Sequence, residues 1–416
     1  MINSKSKSRY LISTILFVLL FAGISSAESP VELNNKGVQL MNKGDLENAL
    51  TYLLKARDAA PTDDSIGKNL ANCYTFIGNK KMADGRISDA LSEFRSAIYY
   101  HDNPDARFYK GYAHYRLKEF DEAIYELEKA INSGFSSADI YSLTGKAYYD
   151  KGEMLSAITS WNKGLELYPD NVGLRELLDK ANREARAEDG FKKGSTSHFT
   201  VQFEAEKDEA LADTILGLLE DAYSDVNLDL AHYPSGNTIV VLYGGKGFKE
   251  ATQSPDWSGG LYDGKIRLPV GGVKDVSAQL KAVIYHEYAH VVVRSITGGK
   301  MAPTWLNEGI AEYEGARFLE RRMKELARAA KKGELIPVKM LEGSFSGLSG
   351  KESSLAYLQS YSLVKYMIDR FGFHAVRDIL ENMAAGNNIE TALKKALDPY
   401  GLDYASLLKE WEGTLK

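Results

Sequence analysis

Two histidines four residues apart, the first followed directly by a glutamate, stand in the stretch Tyr285-His286-Glu287-Tyr288-Ala289-His290. On a helix, residues i and i+4 differ by about 40° in azimuth and by one turn in rise. The imidazoles of His286 and His290 therefore face one point and can both ligate one zinc ion. Glu287 sits one step round, beside that point. From there its carboxylate can take a proton from a water that the metal activates. A second acidic signal follows at Asn307-Glu308-Gly309-Ile310-Ala311-Glu312.

The elements that must position these residues are readable around them. Asp275 and Ser277 are candidate caps for the metal helix, and Gly298-Gly299 ends it. Leu280, Val283, Ile284, Tyr288, Val291 and Val292 give that helix an apolar body. Burying two imidazoles and a carboxylate among them is costly without a charged partner. A second helix starting at Pro303-Thr304 places Glu308 and Glu312 one turn apart, with small Gly309, Ala311 and Gly315 to permit close approach. Its basic continuation over 316–332 reads as a solvated helical face. Upstream, 198–203 and 238–243 read as strands flanking a helix over 208–230. Asp263-Gly264 between two apolar runs predicts a hairpin. Its Gly260, Leu261 and Tyr262 form either an edge that pairs with an extended peptide or an ordinary surface hairpin. The Gly/Ser-rich 343–354 reads as a mobile loop, and further helices follow to the end of the chain.

Residues 30–171 repeat. Gly37, Ala71, Gly111 and Gly145 align, followed by Ala49, Ala90, Ala123 and Ala157, with Pro61 and Pro169 closing two copies. The second copy carries extra residues near 78–85, read as a longer turn. The pattern resembles four tetratricopeptide repeats, with Val172 to Glu188 as a capping helix. Such arrays bind protein partners. Lys68 and Asn72 resemble a pair used to hold a peptide carboxylate, or else are a solvated polar face. Residues 189–197 read as a linker into a second domain over 198–416.

Composition sets bounds. The chain has 416 residues, 44% hydrophobic and 26% charged, with net charge −6, which gives no reason to expect a nucleic-acid partner. Cys73 is the single cysteine, so any metal site must use histidines and carboxylates. Lys5, Lys7 and Arg9, the apolar run Leu11 to Gly23 and Ser25-Ser26-Ala27 predict a secretory signal over 1–27. The expectation is an exported, periplasmic or secreted protein with no stable membrane span after cleavage. An uncleaved anchor is the alternative.

His286-Glu287-x-x-His290 together with Trp305-Leu306-Asn307-Glu308-Gly309 resembles the gluzincin zinc metallopeptidases, and most closely the peptidase-MA-like domains found beside tetratricopeptide repeats. The resemblance implies an α+β thermolysin-like domain after an all-α repeat solenoid. It also implies one zinc held by His286, His290 and Glu308, with Glu287 as general base and Glu312 supporting a zinc histidine from behind. Tyr357 resembles the oxyanion-binding tyrosine of zinc aminopeptidases, with Tyr361 and Tyr366 as competitors. The aminopeptidases' G-x-M-E-N glutamate has no counterpart at 259–264 unless Asp263 substitutes, which favours an endopeptidase. The expected substrate is a protein or peptide. The rival reading is an envelope scaffold or assembly factor that acts through its repeats without cutting.

Overall fold

The computed structural model describes residues 28–204, 209–244, 246–253, 259–271, 273, 275–321 and 323–415. The segment read as a signal, and Ser258 ahead of the hairpin, lie outside these residues.

The first half of the chain is helical because small residues recur where helices must meet. Among the described residues, eight helices pack as successive pairs: α1 (Pro30–Asn42) with α2 (Leu46–Ala59), α3 (Asp64–Ala83) with α4 (Ile87–Tyr100), α5 (Pro104–Arg116) with α6 (Phe120–Asn132), and α7 (Ala138–Lys151) with α8 (Met154–Leu167). A Cβ on Gly37, Gly111 or Gly145 would come within 2.6, 2.7 or 2.2 Å of Leu53, Leu127 or Trp161 on the partner helix. Ser29, Asp45, Asp63, Asn103 and Ser137 start helices by accepting from free backbone N–H groups. The extra residues of the second copy do not lengthen a turn. They extend α3 to 20 residues, against 13 for α1 and α5. Seven residues make about two helical turns, so the packing face is kept and nothing forces a break before Gly85. Helix α9 (Val172–Ala187) follows, capped by Asn171.

The second half is built on a five-stranded sheet in the order β1-β2-β3-β5-β4: β1 (Lys192–Ser195), β2 (Phe199–Phe203), β3 (Thr238–Tyr243), β4 (Leu261–Tyr262) and β5 (Ile266–Pro269). The pairs β2–β3 and β3–β5 are parallel; β1 and β4 are antiparallel edges. The residues expected to be a linker thus contain an edge strand, because Lys192 to Ser195 find ladder partners in Thr200 to Phe203. Side-chain alternation along β3 splits the core. Val240 and Leu242 face α10 (Glu209–Leu230) and the metal helix, while Ile239, Val241 and Tyr243 pack with Phe248 of α11 (Gly247–Thr252) and with Ala187 of α9. The repeat array therefore covers part of one sheet face.

The helix expected to carry the metal ligands is α12 (Ala278–Ile296), capped by Ser277, and α13 (Thr304–Gly315) lies against it. The basic stretch after α13 is not its continuation. The chain turns at 316–321, and α14 (Met323–Lys332) starts separately, because Arg321 folds back onto the carbonyl of Glu312. The 343–354 segment holds a 3₁₀ turn at Phe345–Gly347 and the start of α15 (Gly350–Phe371), whose Ser349–Glu352 capping box fixes the entry. Helices α16 (Phe373–Ala384), α17 (Ile389–Leu397) and α18 (Tyr404–Thr414) complete the core, with Trp411 fully buried. No described helix is long and apolar enough to cross a membrane.

Glu314 sits at the back of α13, fully buried, 2.8 Å from Arg317, which also pairs with Asp229 of α10. Burial pushes its carboxyl up to about 7 from 4.5, against the opposing pull of Arg317. Between those values the folded protein holds a proton that the unfolded chain has lost, so stability falls as pH rises through that window. Glu314→Gln is expected to be the more stable protein at pH 8, by at most about 3 kcal/mol, with the difference closing towards pH 4. Denaturant unfolding across pH checks this, and a pH-independent difference would contradict it.

Candidate metal centre

Three donor atoms converge. His286 Nε2 and His290 Nε2 are 3.2 Å apart, and Glu308 Oε2 lies 3.5 and 3.7 Å from them. Donors about 2.0–2.1 Å from a tetrahedral ion lie about 3.3 Å from one another, so the spacing fits one metal ion. Among the described residues this is the one such group of His, Cys, Asp and Glu side chains. Burial alone would lower the His286 imidazole. The carboxylates of Glu308 and Glu312 outweigh it and hold the ring well above its usual range. Burial would likewise raise Glu308, but His290 and His286 pull it below its ordinary value. Two imidazoles and these carboxylates thus form a pocket that calls for positive charge.

Support comes from behind. Glu312 Oε1 stands 3.3 Å from His286 Nδ1, on the opposite side of the ring from the convergence point. Arg321 holds the other carboxylate oxygen at 2.9 Å and donates to the Glu312 carbonyl at 3.2 Å. In the sequence Arg321 is one of a run of basic residues, with no spacing that marks it as a partner of Glu312. His290 Nδ1 is buried without a partner among the described residues. Close helix approach is divided: Gly315 faces Ala282 of α12, whereas Gly309 faces α15, where a Cβ would lie 2.4 Å from the Ser360 carbonyl oxygen.

Glu287 is 5% exposed, beside the donors. Burial raises its carboxyl, opposed by His286 and His290. Gly260 lies directly on it: a Cβ there would be 2.7 Å from Glu287 Oε1. The hairpin edge is therefore at the site, but its side chains face elsewhere. Leu261 packs with Tyr243 and Phe248, and Tyr262 packs into the main core in the field of Arg294 and Asp150. Asp263 is held by Lys180 and Arg267, away from the donors. Tyr357 lines a cavity of about 1180 Å³ that opens onto Glu308, together with Pro303, Phe345, Leu348, Met383 and Ile389. Burial raises its phenol, and Glu308, Glu312 and Glu287 add to the rise. Its two competitors have other neighbours. Tyr366 donates to Glu410, and Tyr361 lies beside Tyr313 under Arg321. The remaining described histidines have other neighbours: Asp64 for His101, Glu119 for His114, Glu220 for His198, Ser295 for His232 and Tyr400 for His374. Lys68 pairs with Asp64 at 2.7 Å and is exposed, as is Asn72.

Comparison with known proteins bears on both halves. Residues 238–416 match the family model of the Peptidase MA superfamily, and residues 77–138 match that of the tetratricopeptide repeat. The chain thus carries tetratricopeptide repeats and a mixed sheet-and-helix Peptidase MA superfamily domain. It is similar to Small glutamine-rich tetratricopeptide repeat-containing protein 2 of Saccharomyces cerevisiae, 31% identical over 153 residues, which is 36% of this chain and 40% of that protein. It is also similar to the Small glutamine-rich tetratricopeptide repeat-containing protein of Dictyostelium discoideum, 32% identical over 145 residues, 34% of this chain and 43% of that one. The chain spans less than half the length of these curated relatives. Among solved structures it is similar to a crystal structure of MamA, 22% identical with TM-score 0.30 over 36% of this chain and 80% of that one. MamA from Desulfovibrio magneticus RS-1 gives 20% identity and TM-score 0.30, over 38% of this chain and 85% of that one.

The contact at Gly309 generates a test. Gly309→Ala must push α13 off α15, at a cost of about 1–3 kcal/mol for overpacking, and Glu308 moves with the helix. Expected are a lowered melting temperature and a weaker affinity for zinc, read by competition with a chromogenic chelator. Wild-type affinity in this variant would show that the α13–α15 contact does not set the position of Glu308.

Proposed function

We propose that this protein is an exported, zinc-dependent endopeptidase of the gluzincin type. The observation that carries the reading is the convergence of His286, His290 and Glu308 beside a buried glutamate that is not among them. Two imidazoles and one carboxylate suit zinc better than the harder divalent ions. A zinc ion there supplies Lewis-acid polarisation of the scissile carbonyl and an acidified water.

The chain's own residues do the rest. Glu287 takes the proton of the attacking water and passes it to the leaving amine. Its burial raises its proton affinity and so suits it to that exchange. Glu312, held by Arg321, fixes the His286 ring so that Nε2 faces the metal position. Tyr357, kept protonated by burial and by three carboxylates, donates to the oxyanion as it develops. The backbone at Gly260 to Tyr262 holds the substrate extended, which its place on Glu287 favours and the inward-facing side chains of Leu261 and Tyr262 do not oppose. The cavity beside Glu308 and Tyr357 takes a large apolar side chain of the substrate: Phe345, Leu348, Met383 and Ile389 line it, and no Lys or Arg does so among the described residues. With Asp263 tied to Lys180 and Arg267, nothing in the hairpin holds a free substrate amine, which favours cutting within chains. Export rests on the sequence of the first 27 residues, and the repeats bring a protein partner or substrate.

Glu287→Gln is expected to keep its zinc and to lose cleavage of casein by about 10²-fold or more, while His286→Ala loses zinc as well. Elemental analysis and a chelator-controlled cleavage assay read both. Full chelator-sensitive activity in Glu287→Gln would sink the assignment of the base. Partner binding unaffected by chelator, with no cleavage by the wild type, would favour a scaffold.

A further inference from the structure

The face between the repeat array and the sheet holds a buried ionic cluster that the peptidase reading does not use. Arg267 of β5 is fully buried. Its Nε faces Asp263 at 3.2 Å. Its Nη1 donates to Glu188 at 3.1 Å and to the Tyr243 hydroxyl. Its Nη2 donates to the Tyr149 hydroxyl at 2.8 Å and stands 2.8 Å from Glu184 Oε1. Tyr149 and Tyr243 in turn donate to Glu184 and Glu188, each at 2.6 Å. Lys265 lies 3.5 Å from Glu184 and over the Tyr149 ring, and Lys180 reaches Asp263 at 2.7 Å. Three cations thus meet three carboxylates across the face. Glu184 and Lys180 come from α9 and Tyr149 from α7, both in the array, and Glu188 follows α9 directly. Asp263, Lys265 and Arg267 come from the hairpin.

The hairpin carries this contact to the site within three residues. Arg267 pairs with Leu261 in the β-ladder, and Gly260, directly before Leu261, lies on Glu287. A second contact runs parallel to it. Asp150 at the end of α7 accepts from Tyr115 at 2.7 Å and lies in the field of Lys265 and of Arg294 on α12. A buried guanidinium with a partner at each of its three nitrogens has one arrangement that satisfies it and many that do not, so it sets register more than it adds stability.

We propose that the repeat array is a positioning part of the active site: through Arg267, Glu184 and Tyr149 it fixes the β4–β5 hairpin against Glu287. Arg267 is a positioning residue and touches no substrate. The array then governs the cleavage of every substrate, including peptides too short to reach the repeats, which a purely recruiting array would not do. This rests on the peptidase reading.

The test uses the full chain and a short internally quenched peptide. Glu184→Gln is expected to keep wild-type zinc content and to lose ten-fold or more in kcat/KM on the short peptide, with part of the loss in kcat. Hydrogen–deuterium exchange over 259–269 is expected to quicken in the same variant. Tyr149→Phe removes one hydroxyl and leaves every charge paired. It is expected to show a two- to five-fold loss, and it keeps the inference testable if Glu184→Gln does not fold. Wild-type cleavage of the short peptide and unchanged exchange in a folded variant would overturn the positioning role while leaving the peptidase reading intact. Quickened hairpin exchange in a protein whose wild type cleaves nothing would do the reverse.

Discussion

An apolar helix that carries two imidazoles and a carboxylate inward needs charge brought to it from elsewhere in the chain. In this protein α13 meets that need. Glu308 reaches the two Nε2 atoms from one side, and Glu312 reaches the back of His286 from the other. Both carboxylates come from one helix, one turn apart, so a single placement of α13 satisfies both. That placement depends on glycine twice: Gly315 lets α13 approach Ala282 of α12, and Gly309 lets α15 approach α13. The helices of the C-terminal half are thus arranged by what this cluster requires of one neighbour.

The same logic operates a second time, at the face where α9 meets the sheet. A guanidinium with no exposure is tolerable only with all its donors used, and no single element supplies enough acceptors. Arg267 gathers them from α7, α9, the residue after α9, β3 and its own hairpin. Two halves that read as separate modules are joined through groups that cannot be left unpaired. The edge strand beside Glu287 lies between them.

The local parts of this picture were legible in the sequence because they are periodic. The strand over 238–243 has the bounds that its pattern predicts. The spacing of His286 and His290, and of Glu308 and Glu312, follows from the helical turn. The parts that were not legible are non-local. Glu184 and Arg267 have no sequence period linking them, and Arg321 lies among solvated cations in the sequence but pairs with Glu312 in the fold. The segment read as a linker shows the same limit, since a Gly/Ser-rich stretch becomes a strand once Thr200 to Phe203 offer it a ladder. The insertion in α3 is illegible for a different reason: seven residues keep helical phase, so the pattern alone does not distinguish a longer helix from a longer turn.

The central claim is that α12 and α13 together hold one metal ion through two imidazoles and one carboxylate. X-ray absorption at the zinc edge of the full-length protein, loaded with one equivalent, tests it directly. The account predicts a four-coordinate ion with two imidazole scatterers and oxygen ligands at about 2.0–2.1 Å, and a Glu308→Ala spectrum that loses one oxygen shell. An ion with no imidazole scattering, or a spectrum unchanged by Glu308→Ala, would contradict it.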